Sequence, residues 1–345
     1  MSCKQALVHR LLEGYSKYPV CHSTSAFAPT NIALVKYWGK RDSELNLPVT
    51  GSLSITLPTK GAHTTVSIRQ GEHADKVSLN GVMMPDTSHF TQRVTRFLDL
   101  FRASPDERYV VDSVMNIPVA AGVASSACGF AALTLAVDAL YGWSLPIQTL
   151  SILARLGSGS ASRSVFNGWV EWQAGTQADG MDSYAIPYPT SCDWLDLRIG
   201  LLLYHTKEKH CGSREAMQRS VDTSPLYAVW PQQVQQDLLA LKKAIDTQDM
   251  DVLGGIAEHN AEAMHACMRA AIPSVDYATQ ETQAAKEKVH FLRSQGVGIY
   301  YTQDAGPNLK LLFLAKDTAI VEKTFENVVI EMPFVTKETA EISAR

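Results

Sequence analysis

Residues 118–127 read PVAAGVASSA, a run of small residues that joins a predicted strand to the most apolar predicted helix, over 125–140. Small side chains let a phosphate approach the backbone, and a helix N-terminus offers unpaired N–H groups and partial positive charge. The run matches neither the G-x-G-x-x-G nor the G-x-x-x-x-G-K-[ST] pattern, which disfavours Rossmann and P-loop folds. A serine cap on a buried helix is the alternative, and the loop alone does not decide between the two.

The composition is that of a globular protein and excludes several other classes. With 345 residues, 46% of them hydrophobic and 19% charged, the chain can bury a large core, which excludes a disordered or fibrous protein. The 31 basic residues are scattered among 35 acidic ones, which disfavours a nucleic-acid partner. The six cysteines lack metal spacing, and we find no signal peptide and no long apolar span. We therefore expect a cytoplasmic protein with reduced thiols and no membrane partner.

Hydrophobic periodicity predicts a two-domain α+β architecture. The segment 173–196 is rich in Gly, Pro, Ser and Asp, so we place the boundary near residue 190, between domains 1–190 and 191–345. The predicted strands are 52–57, 64–69, 109–114, 195–204, 298–303 and 309–314, and the predicted helices are 88–102, 125–140, 147–154, 225–246, 251–271 and 279–294.

Three further motifs make the pattern specific. Residues 28–42 read APTNIALVKYWGKRD, residues 157–164 read GSGSASRS, and residues 304–308 read DAGPN. Together with the serine-rich loop, they resemble the signature of the diphosphomevalonate decarboxylase family, and the resemblance spans residues 25–315. That family belongs to the GHMP superfamily, which includes galactokinase, homoserine kinase, mevalonate kinase and phosphomevalonate kinase. The serine-rich loop alone indicates only the superfamily, whereas the first two of these motifs are specific to the family.

The resemblance implies a fold, a reaction and its ligands. An N-terminal ribosomal-protein-S5-domain-2-like α/β domain, 1–190, would bind ATP, and a C-terminal ferredoxin-like α+β domain, 191–345, would close the substrate pocket. ATP with Mg²⁺ would phosphorylate the tertiary alcohol of mevalonate 5-diphosphate, and phosphate and CO₂ would then leave to give isopentenyl diphosphate for isoprenoid biosynthesis. Relatives are commonly homodimers, so we expect a homodimer.

Asp304 and Lys36 are the predicted catalytic pair. A tertiary alcohol is a poor nucleophile, so a carboxylate must orient it or accept its proton, and the family carboxylate corresponds to Asp304. Lys36 matches a family lysine that stabilises the transferring phosphoryl group and keeps the aspartate ionised. Taken alone, Asp304 is better explained as a turn residue, and a solvent-facing strand lysine is the alternative for Lys36, whereas the combined motifs favour the catalytic interpretation.

The resemblance also assigns a polyanion site to the GSGSASRS motif. Ser158 and Ser160 would face the diphosphate, and Arg163, the third predicted catalytic residue, would bind the substrate carboxylate with its planar guanidinium. That carboxylate must be held in line to leave as CO₂. Asn31 matches a family residue that hydrogen-bonds the substrate carboxylate, although an Asn near Pro29 also suits a turn. A flexible Gly/Ser connector is the alternative interpretation of the motif.

The same resemblance implies further contacts to substrate and nucleotide. Ser213 and Arg214 would add to carboxylate binding from the second domain, and Tyr37 would reach a phosphate through its hydroxyl. Lys40 is either a loop charge or a ligand, and His265 is interpreted as a packing residue. The matched nucleotide loop consists of Pro118, Ala121, Gly122, Ala124, Ser125 and Ser126. Of these, Ser126 would meet the ATP phosphates and a magnesium ion that arrives with ATP and takes few protein ligands.

One departure from the family pattern leaves undecided whether the substrate carries one phosphate or a diphosphate. An arginine that helps to hold the diphosphate follows a turn that corresponds to residues 78–81, but at the best register this chain has Phe90 there. Arg93 and Arg96 lie about a turn later and are the candidate replacements. If neither replaces it, a substrate with a single phosphate becomes more plausible. Phosphomevalonate or bisphosphomevalonate decarboxylase and a mevalonate-type kinase are therefore kept as alternatives. A sensor that kept the fold and lost the chemistry is the alternative of another class, and the presence of both Asp304 and Lys36 disfavours it.

Overall fold

The computed structural model describes residues 2–69, 74–104, 106–117, 125–191, 193–204 and 211–334. The helices in these ranges are α1 (Cys3–Leu11), α2 (His89–Leu98), α3 (Ser125–Tyr141), α4 (Ile147–Gly157), α5 (Ser213–Thr223), α6 (Trp230–Thr247), α7 (Met250–Arg269), α8 (Gln280–Ser294) and α9 (Thr318–Thr324). The strands are β1 (Ser23–Val35), β2 (Lys40–Asp42), β3 (Leu47–Pro48), β4 (Ser52–Arg69), β5 (Lys76–Leu79), β6 (Val82–Met83), β7 (Arg108–Met115), β8 (Trp169–Trp172), β9 (Ala185–Pro187), β10 (Leu197–Leu202), β11 (Ile299–Gln303), β12 (Leu309–Leu314) and β13 (Val329–Glu331).

The N-terminal half is built on a seven-stranded sheet. Its strands follow the order β6-β5-β7-β4-β8-β9, with β1 also paired to β4. Burial alternates along much of β7 because successive side chains of a strand point to opposite faces. The buried face packs against α2, α3 and α4 in the first hydrophobic core. Helix α3 is apolar on nearly every side because it lies between this sheet and α4, which confirms the prediction of a buried helix over 125–140.

The C-terminal half is built on a four-stranded antiparallel sheet in the order β11-β12-β10-β13. Strand β12 reads LKLLFL because both faces of this sheet are covered. Leu311 and Phe313 point into a core with α8 and α9, whereas Leu312 points into a core with α7. The lysine in this otherwise apolar strand is Lys310, and its position becomes important below.

One hydrophobic cluster crosses from the first half to the second. Ile32 and Leu34 of β1 pack in the same cluster as Trp230 of α6 and Leu253 of α7. This packing brings the end of β1 next to the turn between β11 and β12. Residues that are far apart in sequence, at positions 36 and 304, therefore meet at the join between the two halves.

The structure confirms the mixed α and β architecture and corrects several predicted elements. The runs 52–57 and 64–69 are parts of one long strand, β4, which stays extended through the residues between them. The predicted helix 225–246 begins as a 3-10 turn, Pro225–Ala228, before α6 starts. Helices α1, α5 and α9 were not predicted. No helix in the described ranges is both long and apolar enough to cross a membrane.

Candidate active site

A cleft of about 410 Å³ lies between the end of β1, the GSGSASRS motif, the start of α5 and the β11–β12 turn. Every sequence-predicted site residue whose side chain the structure describes lines it. These residues are Asn31, Lys36, Tyr37, Ser126, Ser158, Ser160, Arg163, Ser213, Arg214 and Asp304. The fold thus brings together motifs that are separated by more than a hundred residues in the chain, and their individual roles stay predictions.

Asp304 lies between two buried lysines. Its Oδ1 accepts a hydrogen bond from Lys36 Nζ at 2.7 Å, and its Oδ2 accepts one from Lys310 Nζ at 2.8 Å. The two lysine side chains are 2% and 1% exposed, whereas the aspartate side chain is 24% exposed and lines the cleft. Lys36 follows β1, and Lys310 sits on β12 across the hairpin from Asp304. The predicted pair is therefore a triad.

The charges of the triad shift one another's protonation. Burial alone would raise the pKa of Asp304, but Lys310 and Lys36 outweigh it and hold that pKa well below its usual value. Burial lowers the pKa of Lys36 to about 8, an effect that Asp304 partly opposes and Lys310 reinforces. The aspartate is consequently ionised at neutral pH, and the Lys36 ammonium is close to its titration range.

Hydrogen bonds with neighbouring residues fix the main chain around the triad. The Lys36 N–H donates to Asn260 Oδ1 at 2.8 Å, and the Lys36 ammonium also donates to the Ala33 carbonyl at 2.7 Å. Burial lowers the pKa of His265 to about 4, so its ring is neutral at pH 7. Its Nε2 lies 3.1 Å from the Asp304 carbonyl oxygen and donates to it. His265 is thus a buried supporting residue, in agreement with its interpretation from sequence.

Arg163 forms the centre of a second group at the wall of the cleft. Its Nε donates to Asn31 Oδ1 at 3.1 Å, and its Nη1 donates to the Ser52 hydroxyl. Asn31 in turn donates to the Ser164 hydroxyl at 2.7 Å. Arg163 is only 3% exposed, and burial lowers its pKa to about 10, an effect that Asp304 opposes. Both of these acceptors of the guanidinium are neutral, so the positive charge remains available to an anion in the cleft.

The serine-rich motif and Tyr37 form the adjoining wall. A Cβ on Gly159 would lie 2.9 Å from the Tyr37 hydroxyl and 3.0 Å from the Trp172 ring, so only glycine allows this close approach. The Tyr37 hydroxyl is buried and has no hydrogen-bond partner among the described residues. An unpaired buried hydroxyl is costly unless a ligand satisfies it. Tyr37 is therefore suited to meet a bound polar group.

The described part of the predicted nucleotide loop is small. Pro118, Ala121, Gly122 and Ala124 lie outside the described residues, and so does the side chain of Ser125. Ser126, in the first turn of α3, has its Oγ 3.2 Å from Ser158 Oγ. The predicted nucleotide and diphosphate sites are therefore neighbours at the start of this helix.

The described residues provide no protein-only magnesium site, because no group of three or more His, Cys, Asp or Glu side chains is placed to hold a metal ion. Asp304, the acidic residue of the cleft, already accepts hydrogen bonds from two lysines. Magnesium usually keeps several waters and binds through substrate phosphates with one or two protein oxygens. The Ser126 hydroxyl fits a magnesium ion that comes with a nucleotide.

The structure shows where Phe90 and the two candidate replacement arginines lie. Phe90 packs against the first hydrophobic core, and Arg93, one turn later on α2, lines the cleft. Arg96 is exposed and does not line the main cleft, although it lines a small adjoining recess together with Arg93, so of the two candidate replacements only Arg93 reaches the main cleft. Lys40, which the sequence left undecided, lines the cleft as well, and burial lowers its pKa to about 8.

Sequence reasoning missed Lys310 and His89, which line or contact the site. Lys310 had a usable signal, because a lysine inside an otherwise apolar strand is rarely buried without an anionic partner. No pattern in the sequence distinguishes His89 from an exposed residue at the start of a helix.

Comparisons with known proteins agree with this geometry. A family model described as "Diphosphomevalonate decarboxylase-like N-terminal domain" matches residues 28–185, and one described as "Mevalonate 5-diphosphate decarboxylase C-terminal domain" matches residues 199–343. The diphosphomevalonate decarboxylase of Candida albicans is 37% identical over 309 residues, which cover 85% of this chain and 84% of that protein.

Solved structures agree as well. The mevalonate diphosphate decarboxylase of Staphylococcus aureus is 34% identical, with a TM-score of 0.85 over 91% of this chain and 96% of that one. A structure described as MDDEF in complex with MVAPP, AMPPCP and magnesium is 37% identical, with a TM-score of 0.83 over 90% of this chain and 96% of that one. These matches identify the fold as the GHMP-kinase-like fold with two domains.

Proposed function

The chain belongs to the diphosphomevalonate decarboxylase family, and we propose that the cleft around Asp304 is its active site. The reaction is the ATP-dependent decarboxylation of mevalonate 5-diphosphate, which gives isopentenyl diphosphate, ADP, phosphate and CO₂. The observation that carries the assignment of the site is the ionised Asp304 between Lys36 and Lys310 and beside the cleft.

Asp304 orients the C3 hydroxyl of the substrate for attack on the γ-phosphoryl group of ATP. A general base works best when its pKa lies near the working pH, and the pKa of Asp304 lies far below that range. Its carboxylate therefore stays ionised and can accept a hydrogen bond from the hydroxyl, but it is a weak proton acceptor before reaction. Proton transfer becomes favourable only as the hydroxyl oxygen forms its bond to phosphorus, so orientation is the larger contribution.

The two lysines have separate tasks in this scheme. Lys36 lines the cleft and supplies positive charge where charge develops on the transferring phosphoryl group. Lys310 keeps the other carboxylate oxygen neutralised, so Asp304 stays ionised while Lys36 interacts with the phosphoryl group. Buried cations without an anion are costly, which is why removal of either partner disturbs the whole triad.

Arg163 binds the carboxylate that later leaves as CO₂. Asn31 and the Ser52 hydroxyl fix its guanidinium, so the carboxylate meets a charge that is already oriented. When the phosphorylated C3–O bond breaks, positive charge develops at C3 and the electrons of the C–CO₂ bond form the new double bond. A carboxylate held by Arg163 stays anionic and aligned for that step.

ATP and Mg²⁺ are the accompanying ligands, which the relative in complex with MVAPP, AMPPCP and magnesium supports. Magnesium-bound ATP supplies the phosphoryl group. Ser126, at the start of α3 and beside Ser158, is the described residue proposed to hold the phosphates and the ion. The predicted loop residues on its N-terminal side keep the same proposed role.

Product analysis tests the proposed function. The purified protein is incubated with ATP and Mg²⁺ and with mevalonate, phosphomevalonate or mevalonate diphosphate in turn, and ADP, CO₂ and the organic product are measured. We expect ADP and CO₂ in equal amounts, with isopentenyl diphosphate, from mevalonate diphosphate. ADP without CO₂ would assign a kinase, and faster CO₂ release from phosphomevalonate would assign the related decarboxylase. Neither product from any of the three would reject the proposal.

We further propose that the enzyme is a cytoplasmic homodimer with a domain boundary near residue 190. The family resemblance supports the dimer, and family models that end at 185 and resume at 199 support the boundary. The described cysteines Cys3, Cys21, Cys128, Cys211 and Cys267 are free thiols, as in a reducing compartment. Light scattering tests the dimer, since a mass of one chain would reject it.

A further inference from the structure

Two smaller recesses continue the cleft toward helix α1. They measure about 350 and 110 Å³, and Lys4 and Arg214 line both of them. Lys40 lines the larger recess and Arg93 the smaller, and both residues also line the main cleft. The recesses are therefore extensions of the candidate active site. Lys4 belongs to them although it precedes the part of the chain that the family model matches, 28–185.

Helix α1 fixes Lys4 in this position. A capping box starts the helix, and Leu7 and Val8 bury one of its faces in the first hydrophobic core. The Lys4 N–H donates to Glu44 Oε1 at 3.2 Å, and the Lys4 ammonium donates to the Leu156 carbonyl at 2.9 Å. The ammonium is thus held at the last turn of α4, immediately before the GSGSASRS motif.

Three cations converge on this last turn of α4. Beside Lys4, Arg214 donates to the Gly157 carbonyl at 2.9 Å, and Arg93 lies at 3.5 Å from the same oxygen. The end of a helix carries unpaired carbonyls with a partial negative charge. These carbonyls can position the three cations, but they cannot neutralise three full charges.

The described residues supply only part of the missing negative charge, because Glu44 accepts the Lys4 main-chain N–H and Glu215, which lines the larger recess, pairs with Arg219. Lys4, Arg93 and Arg214 are absent from the ion pairs formed between described residues. Burial and then Arg214 lower the pKa of Lys4, which Glu44 opposes only in part. Burial and then Arg214 also lower the pKa of Arg93, to about 10. A bound anion would remove this mutual repulsion.

We propose that Lys4 binds the terminal phosphate of the substrate diphosphate together with Arg93 and Arg214. This makes Lys4 a residue that selects a diphosphate over a monophosphate, and the proposal rests on the proposed function. Lys4 lines the recesses but not the main cleft, so it suits the group farthest from the reacting carbon. A terminal phosphate carries almost two negative charges near pH 7, which matches several clustered cations.

Calorimetry on the Lys4→Met variant tests this role without turnover. Affinities for mevalonate diphosphate and phosphomevalonate are measured for the wild type, Lys4→Met and Lys4→Arg. Arg10→Met is the matched control, because it removes one positive charge from the exposed side of α1, where Arg10 pairs with Asp179 at 2.8 Å. We expect Lys4→Met to bind the diphosphate about 10-fold more weakly, with monophosphate affinity unchanged within about twofold. Lys4→Arg should restore most of the loss, and Arg10→Met should change neither affinity.

Two results would overturn the proposal. Equal weakening for both substrates would mean that Lys4 only caps α4, and equal affinities of wild type and Lys4→Met for the diphosphate would mean that it binds no phosphate. Binding of inorganic pyrophosphate to the same variants separates this question from the proposed function. A wild type inactive on every mevalonate phosphate would reject the function, whereas Lys4→Met that binds pyrophosphate as tightly as wild type would reject the role of Lys4.

Discussion

The two ends of the cleft hold positive charge in different ways. At the end formed by β1 and the β11–β12 turn, Lys36 and Lys310 both form ion pairs with Asp304. At the end formed by α1, α2 and α5, the described hydrogen bonds of Lys4, Arg93 and Arg214 side chains go to main-chain carbonyls. At the first end both lysines are paired with a carboxylate before substrate arrives, whereas at the second end a ligand supplies the anion.

This difference separates chemistry from binding. A carboxylate that is already paired and fixed does not have to reorganise during reaction, which is the condition for efficient stabilisation of a transition state. Cations that lack an anion gain most from the arrival of one, which is the condition for strong binding of a polyanion. Changes at the triad should therefore reduce turnover, and changes at the second end should reduce affinity.

Asp304→Asn should have the largest effect. The amide keeps the size of the side chain but lacks the charge that orients the hydroxyl, so we expect turnover to fall by about 10³-fold. CO₂ release at saturating ATP and substrate measures it. Asp179→Asn, which changes a surface aspartate that is 45% exposed, is the matched control and should keep full turnover. Turnover of Asp304→Asn within tenfold of the wild type would remove Asp304 from the mechanism.

Lys310→Met should reduce turnover by about 10-fold to 10²-fold and change its pH dependence. Without this cation, burial is opposed by Lys36 alone, so the pKa of Asp304 rises. A carboxylate with a lowered pKa stabilises the fold above its ordinary value of 3.8, and this contribution is lost as the pH falls through the folded-state pKa. The variant should therefore lose both kcat/KM and stability at a higher pH than the wild type.

The matched control for that variant is Lys60→Met, because Lys60 also pairs with a carboxylate, Glu331, at 3.2 Å but lies outside the cleft. The acid limb of its profile of kcat/KM against pH should coincide with that of the wild type. An unchanged acid limb in Lys310→Met would show that Lys36 alone sets the ionisation of Asp304.

Activity should also fall in alkaline solution. The pKa of Lys36 is lowered to about 8, so kcat/KM should decrease above that pH, by up to about tenfold per pH unit. The alkaline decrease of kcat should occur at a higher pH than that of kcat/KM, because a bound polyanion favours the protonated lysine. Lys40 has a similar pKa of about 8, and Lys40→Arg identifies the source. If that variant loses the alkaline limb in kcat/KM, the titrating group is Lys40 and not Lys36.

Tyr37→Phe should have the smallest effect. The Tyr37 hydroxyl is buried without a described partner, so its removal should leave the free energy of unfolding equal or slightly higher, while KM rises about 2-fold to 10-fold. Tyr188→Phe is the contrasting variant, because the Tyr188 hydroxyl donates to Asp246 at 2.9 Å. Tyr188→Phe should lower stability and leave KM unchanged. A loss of stability in Tyr37→Phe with normal KM would give this hydroxyl a structural role.

The sequence predicted the paired end of the cleft better than the unpaired end. Asp304, Lys36 and Arg163 each lie in a motif, so a local pattern was enough to single them out. Lys310 was missed because it lies in a strand whose burial on both faces is a property of the sheet. Lys4 was missed because its ammonium meets a carbonyl that is 152 residues away in the chain.

The fold shows the same limits. Continuous apolar runs located α3, β11 and β12, which are covered on both sides, and helical periodicity located α4, α7 and α8. It missed α1 and α5, whose positions depend on contacts with distant elements. The pairing of β4 with β1, β7 and β8 likewise could not be read from one segment, because register depends on partners elsewhere in the chain.

The separation of chemistry from binding is tested most directly by the affinity of two variants for mevalonate diphosphate, measured by calorimetry without ATP. Asp304→Asn changes the paired end, and Arg214→Met changes the unpaired end. We predict that Asp304→Asn binds within about threefold of the wild type and that Arg214→Met binds at least about tenfold more weakly. The reverse order, with affinity lost at Asp304 and kept at Arg214, would contradict the account.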